Sequence, residues 1–435
     1  MAIDLELLPD PYPIEPIGGP LDADVRVPGS KSITNRALVC AALARGTSVL
    51  TGALFADDTE AMLGVLVALG LTVETDPAGE RVTVTGTDGH VPSTKEPIDV
   101  RQSGTTARFV LPLLALGEGA YEVTAHPQMQ GRPVGFAIAA AEALGARIDA
   151  RGEHTLPATV TAGPEVGRVS RFEMPGNISS QFLSGLLLVA PCLPDGLTIA
   201  VTTELVSRPY VDLTIAVMEA FGARVARPDR DTFVVEPTGY AATTYAVEPD
   251  ASAASYPLAA AAICGGRVRV AGLGPGAAQG DAAFADVLAA MGATVTRDDR
   301  GTEVSAEPGA LVGGTFDFTH ISDTAQTLAM VAPFAAGTTT IEGIGFIRRK
   351  ETDRILAVAT ELTRCGINVR TDDDGWAIEP GRPVAAVIQT YGDHRMAMSF
   401  ALLGLAVPGI AIADPTCVAK TFPGYWDLLE SLRPR

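Results

Sequence analysis

Six copies of one hydrophobic and polar pattern run along the chain. In each copy, a start rich in Ser, Thr or Asp opens an apolar run of about a dozen residues that predicts a helix. A turn that contains glycine follows, and then a short strand rich in β-branched residues. The six turn glycines lie 70 to 77 residues apart, at Gly46, Gly119, Gly196, Gly266, Gly337 and Gly409. A fixed period of this kind predicts a repeat architecture in which each unit buries its apolar face against its neighbours.

A second predicted helix follows most of the strands and ends in a shared signature. A large apolar residue followed by glycine marks these ends, at Leu69-Gly70, Leu144-Gly145, Phe221-Gly222, Met291-Gly292 and Cys365-Gly366. Glycine just past the last helical residue is a common helix end. Helices that alternate with strands favour an α/β fold in which helices cover the sheets.

The repeats divide the chain into two halves. Three repeats occupy residues 30–247 and three occupy 250–435, while residues 23–27 read as a strand without a repeat of its own. Because the sixth repeat lacks a closing strand, we expect the N-terminal segment to supply it. The predicted domains are 1–28 with 248–435, and an inserted domain of 29–247. The two crossings would form a two-strand hinge suited to closure over a ligand.

Composition narrows the class of protein. The 435 residues are 47% hydrophobic and 19% charged, as in a well-packed globular protein of two or three domains. The formal net charge of −19 argues against partners such as nucleic acid or anionic membranes. No segment reads as a signal peptide or membrane span, so we predict a cytoplasmic protein. No CxxC pair supports a zinc ribbon or disulfide framework.

Cations at the predicted helix starts indicate the chemistry. Helix N-termini bind anions through unpaired backbone N–H groups and the helix dipole. Lys31 and Arg36 are placed to flank one start, although Ser30 separates Gly29 from Lys31, so the segment is not a P-loop. Further starts carry Arg108, Arg132, Arg208, Arg395 and Lys420, and the segment that begins at Arg348 and contains Arg354 is predicted to open the second helix of the fifth repeat. If the helices of each domain point the same way, these N-termini face a common interdomain cleft that binds acidic groups.

Two carboxylates, Asp323 and Glu351, stand among these cations, which is where proton-transfer groups belong. Taken together, seven motifs in one collinear order over about residues 14–432 resemble the 5-enolpyruvylshikimate-3-phosphate synthases, a family of enolpyruvyl transferases. The motifs are Pro28-Gly29-Ser30-Lys31-Ser32 with Asn35-Arg36, Gly104-Thr105 with Arg108, Ser179-Ser180-Gln181, Ser207-Arg208-Pro209-Tyr210, Lys350-Glu351-Thr352-Asp353-Arg354, Asp393-His394-Arg395 and Lys420-Thr421-Phe422-Pro423.

The resemblance implies both a fold and a reaction. The implied fold has two domains, each of three βαβαββ repeats in an inside-out α/β barrel, which agrees with the repeat count above. The implied reaction transfers the enolpyruvyl group of phosphoenolpyruvate to the 5-hydroxyl of shikimate 3-phosphate, through a tetrahedral intermediate, and releases phosphate on the way to chorismate. It uses no metal or organic cofactor. The implied partners are these two small molecules, and the chain would act as a monomer.

Residue roles follow from the same resemblance. Asp323 would accept the proton of the attacking hydroxyl, and Glu351, with Lys31, would protonate the methylene carbon. The residues implied to hold shikimate 3-phosphate are Lys31, Ser32, Arg36, Ser179, Ser180, Gln181, Ser207, Tyr210, Asp323 and Lys350. Those implied to hold phosphoenolpyruvate are Lys31, Gly104, Arg132, Gln181, Arg354, Arg395 and Lys420.

Two positions depart from the family pattern. Gln102 stands where the family has Asn, and Phe109 stands where many members have Pro or a small aliphatic residue. Both adjoin Gly104, whose missing side chain leaves room for phosphoenolpyruvate, so they could alter the response to glyphosate, which occupies that place.

Two alternative functions remain at this point. A UDP-N-acetylglucosamine enolpyruvyl transferase would need a loop cysteine as its acid, and residues 126–131 contain none. A non-catalytic phospho-ligand binding protein would not require both Asp323 and Glu351.

Overall fold

The computed structural model of the chain describes residues 3–152, 154–163 and 169–433. It divides into two compact units. The inserted unit is Gly29–Glu248, and the split unit is Met1–Pro28 together with Pro249–Arg435.

The α-helices of the described residues mostly follow the predicted apolar runs. They are α1 (Lys31–Leu43), α2 (Asp57–Ala68), α3 (Gly104–Leu114), α4 (Pro127–Gln130), α5 (Gly135–Ala143), α6 (Ser180–Val189), α7 (Arg208–Ala220), α8 (Ala251–Cys264), α9 (Phe284–Ala290), α10 (Ala325–Val331), α11 (Arg354–Arg364), α12 (His394–Ala406) and α13 (Tyr425–Ser431).

The β-strands are short, and most lie between these helices. They are β1 (Tyr12–Pro13), β2 (Leu21–Val25), β3 (Ala44–Arg45), β4 (Thr47–Thr51), β5 (Thr72–Asp76), β6 (Arg81–Thr85), β7 (Ile98–Asp99), β8 (Ala120–Thr124), β9 (Arg147–Ala150), β10 (Ala158–Thr161), β11 (Arg171–Met174), β12 (Leu197–Val201), β13 (Val225–Ala226), β14 (Thr232–Val235), β15 (Tyr240–Ala241), β16 (Thr244–Ala246), β17 (Gly266–Ala271), β18 (Thr294–Asp298), β19 (Gly301–Ala306), β20 (Thr315–Asp317), β21 (Thr339–Glu342), β22 (Val369–Thr371), β23 (Trp376–Ile378), β24 (Ala386–Ile388) and β25 (Ile410–Ile412).

Three helices, α1, α3 and α6, form the centre of the inserted unit, and each packs against the other two. The first is buried from Ile33 to Leu43, and the second is buried over its whole length. Helices that are apolar on all sides must be enclosed on all sides. The four-stranded sheets of the unit have the orders β16-β4-β6-β5, β7-β8-β10-β9 and β11-β12-β14-β13.

The split unit has the same plan. Its central helices are α8, α10 and α12, which pack against one another. Its sheets have the orders β18-β19-β17-β2, β20-β21-β23-β22 and β1-β25-β24. The three repeats in each unit confirm the α/β fold class expected from the sequence.

The strand that precedes α1 in the chain belongs to the split unit, and the strand that precedes α8 belongs to the inserted unit. β2 precedes α1 but pairs in parallel with β17. β16 precedes α8 but pairs in parallel with β4. At the two crossings, the Asp250 N–H donates to the Pro28 carbonyl and the Ser30 N–H donates to the Glu248 carbonyl, both at 2.8 Å. This exchange makes the chain pass twice between the units.

The same pairing corrects the expected place of the N-terminal strand. The strand spans Leu21–Val25 rather than 23–27, and it completes the fourth repeat rather than the sixth. Leu21 and Val25 share one hydrophobic cluster with Val268 and Val270 of β17, and this shared burial explains the choice of partner. The sixth repeat receives only the two-residue β1, which pairs antiparallel with β25.

The second helix of the fifth repeat begins later than the sequence indicated. A 3-10 turn spans Gly345–Arg349, and α11 begins at Arg354 rather than at Arg348. The Asp353 carboxylate caps the helix by accepting from the Leu356 N–H at 3.0 Å. Asp353 therefore occupies the cap position, for which aspartate is a preferred residue. As a result, Lys350 and Glu351 lie in the segment before the helix.

Among the helices of the described residues, none has both the length and the apolar character needed to cross a membrane.

Candidate active site

Lys31 is the first residue of α1 in the inserted unit. Ser30 caps this helix by accepting from the Ile33 N–H at 3.4 Å. The Lys31 ammonium lies 3.5 Å from a carboxylate oxygen of Asp58, whose side chain is 4% exposed. This ion pair places the ammonium beside the start of α2, and sequence reasoning did not find its anionic partner.

Arg36 is buried in the inserted unit and connects α1 to α6 and α7. Its guanidinium donates to the hydroxyls of Thr214 at 2.7 Å and Ser184 at 3.2 Å. It also donates to the carbonyl oxygens of Ser32 at 2.9 Å and Tyr210 at 3.2 Å. Burial lowers the pKa of Arg36 to about 10. These partners carry no formal charge, so they do not neutralise the guanidinium.

Gly104 is the first residue of α3 and lies directly against Arg132. A Cβ atom on Gly104 would lie 2.8 Å from a terminal guanidinium nitrogen of Arg132 and 3.0 Å from its Cζ atom. Arg132 is buried. The missing side chain therefore allows the guanidinium to approach the helix N-terminus, as expected of a glycine at a close approach.

Gln181 joins the starts of α6 and α3. Its side-chain oxygen accepts from Arg108 at 2.5 Å, and its side-chain nitrogen donates to the Thr105 hydroxyl at 3.3 Å. Ser179 caps α6 by accepting from the Gln181 N–H at 3.3 Å, and Ser180 is the buried first residue of the helix. The predicted Ser-Ser-Gln motif thus stands at a helix N-terminus.

Ser207 precedes α7 in the left-handed backbone region, with φ of +53°. The side chain of the next residue, Arg208, forms an ion pair with Asp231 at 2.7 Å. Tyr210 follows in the first turn of α7, and its carbonyl oxygen accepts from Arg36. The predicted residues of α1, α6 and α7 are therefore brought together, because these three helices pack against one another.

The two departures from the family pattern lie near this group. Phe109 is fully buried, and its ring centroid lies 5.2 Å from the guanidinium carbon of Arg36, within reach of a cation–π interaction. Gln102 lines a cavity of about 390 Å³ beside the start of α3. The other lining residues are Asp57, Asp99, Arg101, Thr124, Ala125 and His126.

In the split unit, Asp323 lies in the 3-10 turn Ser322–Thr324 that leads into α10. One of its carboxylate oxygens accepts from Arg395 at 2.8 Å. The other lies 3.4 Å from a nitrogen of Arg354 and 4.0 Å from the Lys350 ammonium. Three cations thus surround one carboxylate, and hydrogen bonds between charged groups are the strong ones.

Arg354, at the start of α11, connects Asp323 to two further carboxylates. Its guanidinium donates to Asp393 at 2.7 and 3.3 Å and to Glu351 at 2.7 Å. Burial disfavours the cation, but the carboxylates of Asp393, Glu351 and Asp323 outweigh it and raise the pKa of Arg354. The guanidinium therefore stays charged and holds the two predicted proton-transfer groups, Asp323 and Glu351.

His394 and Lys420 complete this cluster. Burial, and then the charge of Arg395, lower the pKa of His394 well below 6.5, and Lys420 adds to the effect. The imidazole is therefore neutral at pH 7, and neither of its nitrogens has a hydrogen-bond partner among the described residues. Lys420 ends the 3-10 helix Pro415–Lys420 and is buried.

The sequence did not predict three contacts of the candidate site residues, namely those of Asp393, Asp58 and Tyr256. Asp393 is the cap of α12 and precedes an apolar run, a signal that would have identified it as buried and bonded. Asp58, in the first turn of α2, carried the same kind of signal. Tyr256, whose hydroxyl lies 3.5 Å from Arg395, comes from an alanine-rich apolar helix with no such signal.

Comparison with protein families adds an independent result. The family model described as EPSP synthase (3-phosphoshikimate 1-carboxyvinyltransferase) matches residues 16–429. A protein of Nostoc punctiforme named 3-phosphoshikimate 1-carboxyvinyltransferase is 44% identical over 419 residues, which cover 96% of this chain and 98% of the relative. A protein of Laribacter hongkongensis with the same name is 45% identical over 424 residues, 95% of this chain and 97% of the relative.

Solved structures agree with the sequence match. An EPSP synthase from Acinetobacter baumannii superposes with a TM-score of 0.81 at 26% identity, over 97% of this chain and 98% of that one. The enolpyruvyl transferase NikO from Streptomyces tendae shares the fold, with a TM-score of 0.71 at 20% identity over 96% and 95% of the two chains. With a family match over nearly its whole length and relatives above 40% identity, the chain belongs to the EPSP synthase (3-phosphoshikimate 1-carboxyvinyltransferase) family.

Proposed function

We propose that this protein transfers the enolpyruvyl group of phosphoenolpyruvate to the 5-hydroxyl group of shikimate 3-phosphate and releases phosphate. Family membership supports the proposal. The observation that carries it is that Asp323 and Glu351 are both held by one buried guanidinium, that of Arg354. The reaction needs a base at oxygen and an acid at carbon, and two carboxylates at a fixed position can supply both.

In the addition step, Asp323 accepts the proton of the 5-hydroxyl group of shikimate 3-phosphate. The oxygen of that hydroxyl group attacks the central carbon of phosphoenolpyruvate. Glu351, in its protonated form and together with Lys31, donates a proton to the methylene carbon, which becomes a methyl group. In the elimination step, the methyl group returns a proton to Glu351, and the electrons of that carbon–hydrogen bond form the new carbon–carbon double bond. The carbon–oxygen bond to phosphate breaks at the same time, and phosphate leaves with the bonding electrons. Fixed cations stabilise the anionic intermediate between the two steps because they need no reorganisation.

The remaining residues would bind the two anions. For shikimate 3-phosphate, we propose the side chains at the starts of α1, α6 and α7, the three helices that Arg36 joins through hydrogen bonds to uncharged partners. For phosphoenolpyruvate, we propose Lys31, Arg132 beside Gly104, Gln181, Arg354, Arg395 and Lys420. The proposal requires that the two units act as the two domains of the enzyme and present these groups to the same pair of substrates.

A direct assay tests this function. Purified protein should release phosphate when both phosphoenolpyruvate and shikimate 3-phosphate are present, and not when either is omitted. UDP-N-acetylglucosamine in place of shikimate 3-phosphate should give no phosphate, because residues 126–131 lack the cysteine acid expected of that activity. Tight binding of shikimate 3-phosphate without turnover would instead favour a binding protein and would refute the proposal.

The finer properties remain predictions. We propose that the enzyme acts as a monomer and binds no nucleic acid, which its net charge of −19 supports. We also propose that it acts in the cytoplasm. Sedimentation at micromolar concentration would test the first of these properties.

A further inference from the structure

The loop that leads into α12 has an unusual backbone. Tyr391 and Gly392 are consecutive residues in the left-handed region, with φ of +56° and +66°. Glycine adopts this region freely, whereas a tyrosine there is strained. Such a conformation persists only where the surroundings hold it in place. The loop ends at Asp393, the residue that binds Arg354.

Glu361 of α11 contacts this loop twice. Its carboxylate accepts from the Gln389 N–H at 3.1 Å and from the Tyr391 hydroxyl at 2.7 Å. The side chain of Glu361 is fully buried, and the guanidinium of Arg364 lies 3.2 Å away at the surface. A buried carboxylate is costly unless it is hydrogen-bonded, and the proposed reaction does not use it.

Tyr391 is held by this bond more than by packing. The residue is 43% exposed, yet its hydroxyl reaches the buried carboxylate. Burial, and then the hydrogen bond that Tyr391 donates to Glu361, raise the pKa of Tyr391 to about 12. The hydroxyl therefore stays protonated at neutral pH and donates a hydrogen bond to the Glu361 carboxylate. Because the acceptor is ionised, this bond is charge-assisted.

The same helix face holds the other end of the loop. Arg354 precedes Glu361 by seven residues, which is two turns of α11, so the two side chains lie on one face. Glu361 binds the loop at residues 389 and 391, while Arg354 binds it at Asp393. Asp393 also accepts from the Arg395 N–H at 2.9 Å, and Arg395 in turn binds Asp323.

We infer that Glu361 and Tyr391 are positioning residues of the active site: they fix the loop so that Asp393 orients Arg354 and Arg395 toward Asp323 and the bound phosphoenolpyruvate. They touch no substrate themselves. The kinetic consequence rests on the proposed function, whereas the structural consequence, a fixed start of α12, does not. An ordinary stabilising role of Glu361 would lower the amount of folded enzyme without changing the affinity of the folded enzyme for either substrate.

Tyr391→Phe is the main test because it removes one hydroxyl and keeps the ring. We expect the KM for phosphoenolpyruvate to rise about fivefold to tenfold, the scale of one typical intramolecular hydrogen bond, while the KM for shikimate 3-phosphate stays within about twofold. Amide hydrogen exchange of residues 389–395 should become about tenfold faster. Glu361→Gln should have the same two effects, because an amide cannot accept both bonds with the same geometry.

Two matched controls separate the loop from its surroundings. Arg364→Gln removes the exposed partner of Glu361 but leaves both of its bonds to the loop, so kinetics and exchange should stay near wild type. Tyr12→Phe makes the same chemical change at a half-buried tyrosine that packs on Trp426, and it should also change neither.

The outcomes are distinct. If Tyr391→Phe leaves the exchange of residues 389–395 at the wild-type rate, the inference is wrong, whatever the wild-type activity. If exchange rises but the KM for phosphoenolpyruvate stays at the wild-type value, the loop does not position the groups proposed to bind that substrate, and the inference is also wrong. A wild-type protein that releases no phosphate would refute the proposed function alone, since the exchange measurement still decides whether the loop is held in this way.

Discussion

Arg36, in the second turn of α1 in the inserted unit, and Arg354, the first residue of α11 in the split unit, both carry buried guanidiniums, but the surroundings of the two groups differ. Arg36 donates to hydroxyls and carbonyl oxygens. Arg354 donates to three carboxylates. Burial accordingly lowers the pKa of Arg36, whereas the carboxylates raise that of Arg354.

The difference suggests a division of labour between the units. A guanidinium with neutral partners keeps its charge for an anionic ligand, whereas one surrounded by carboxylates instead holds those carboxylates in position. We therefore expect the inserted unit to contribute mainly binding and the split unit mainly proton transfer. Lys31 is the exception, since it pairs with Asp58 in the inserted unit, and its proposed role is shared between the two tasks.

Removing the proposed base should produce the largest effect. We expect Asp323→Asn to lower turnover about 100-fold to 1000-fold, the scale of a lost general base, while calorimetry still detects shikimate 3-phosphate binding. Asp286→Asn, which neutralises an exposed carboxylate of α9 that pairs with Arg297 at 2.6 Å, is the control in the same unit and should be near wild type. Near-normal turnover of Asp323→Asn would remove this residue from the mechanism and, with it, the division of labour.

The two arginines allow a direct comparison by the same substitution. Lysine keeps the charge but loses the fork of donors. Arg354→Lys should lower the free energy of unfolding by about 2–3 kcal/mol, because it leaves the fully buried Asp393 poorly paired. Arg36→Lys should cost about 1 kcal/mol, since only hydrogen bonds to neutral groups are lost. Thermal unfolding would measure both, and equal losses would show that the carboxylates do not set the two sites apart.

Much of the fold could be predicted from the sequence because it is repetitive. The turn glycines and apolar helices recur at a fixed period, so a correct assignment of helices and strands in one repeat also assigns them in the others. The pairing of β2 could not be predicted, because a short strand with only Leu21 and Val25 buried fits more than one sheet edge. Its true partner depends on burial with β17, which lies far away in sequence.

The site shows the same limit. The motifs indicated the cations and the two carboxylates, since each stands in a recognisable polar segment. They did not indicate how the groups pair. The contacts of Asp393 with Arg354 and of Asp58 with Lys31 join residues of different elements, and no local pattern specifies such a contact. The late start of α11 was missed because Arg348 and Asp353 both precede an apolar run.

A smaller effect is expected where the inserted unit binds phosphoenolpyruvate. In Gly104→Ala the new methyl group would lie 2.8 Å from a nitrogen of Arg132, so the guanidinium must move. We expect the KM for phosphoenolpyruvate to rise about tenfold, about 1.4 kcal/mol, with little change for shikimate 3-phosphate. Gly131→Ala is a close control because its new methyl group would meet no atom within 4 Å. A selective loss of shikimate 3-phosphate affinity would show that the two substrates are assigned to the wrong groups.

The smallest effect concerns His394, the neutral group among the charges of the split unit. The pKa of His394 in the folded protein is lowered below 6.5. As the pH falls below that value, the imidazole is therefore protonated in the unfolded chain but stays neutral in the folded protein. This part of the stability is therefore present above pH 6.5 and is lost towards the lowered folded pKa, by about 1 kcal/mol between pH 6.5 and 5.5. His394→Gln should flatten the pH dependence of the unfolding free energy in this window, even if it lowers stability at every pH. An unaltered slope in His394→Gln would mean that the folded protein can protonate this ring, and that the carboxylates of the split unit compensate a further positive charge.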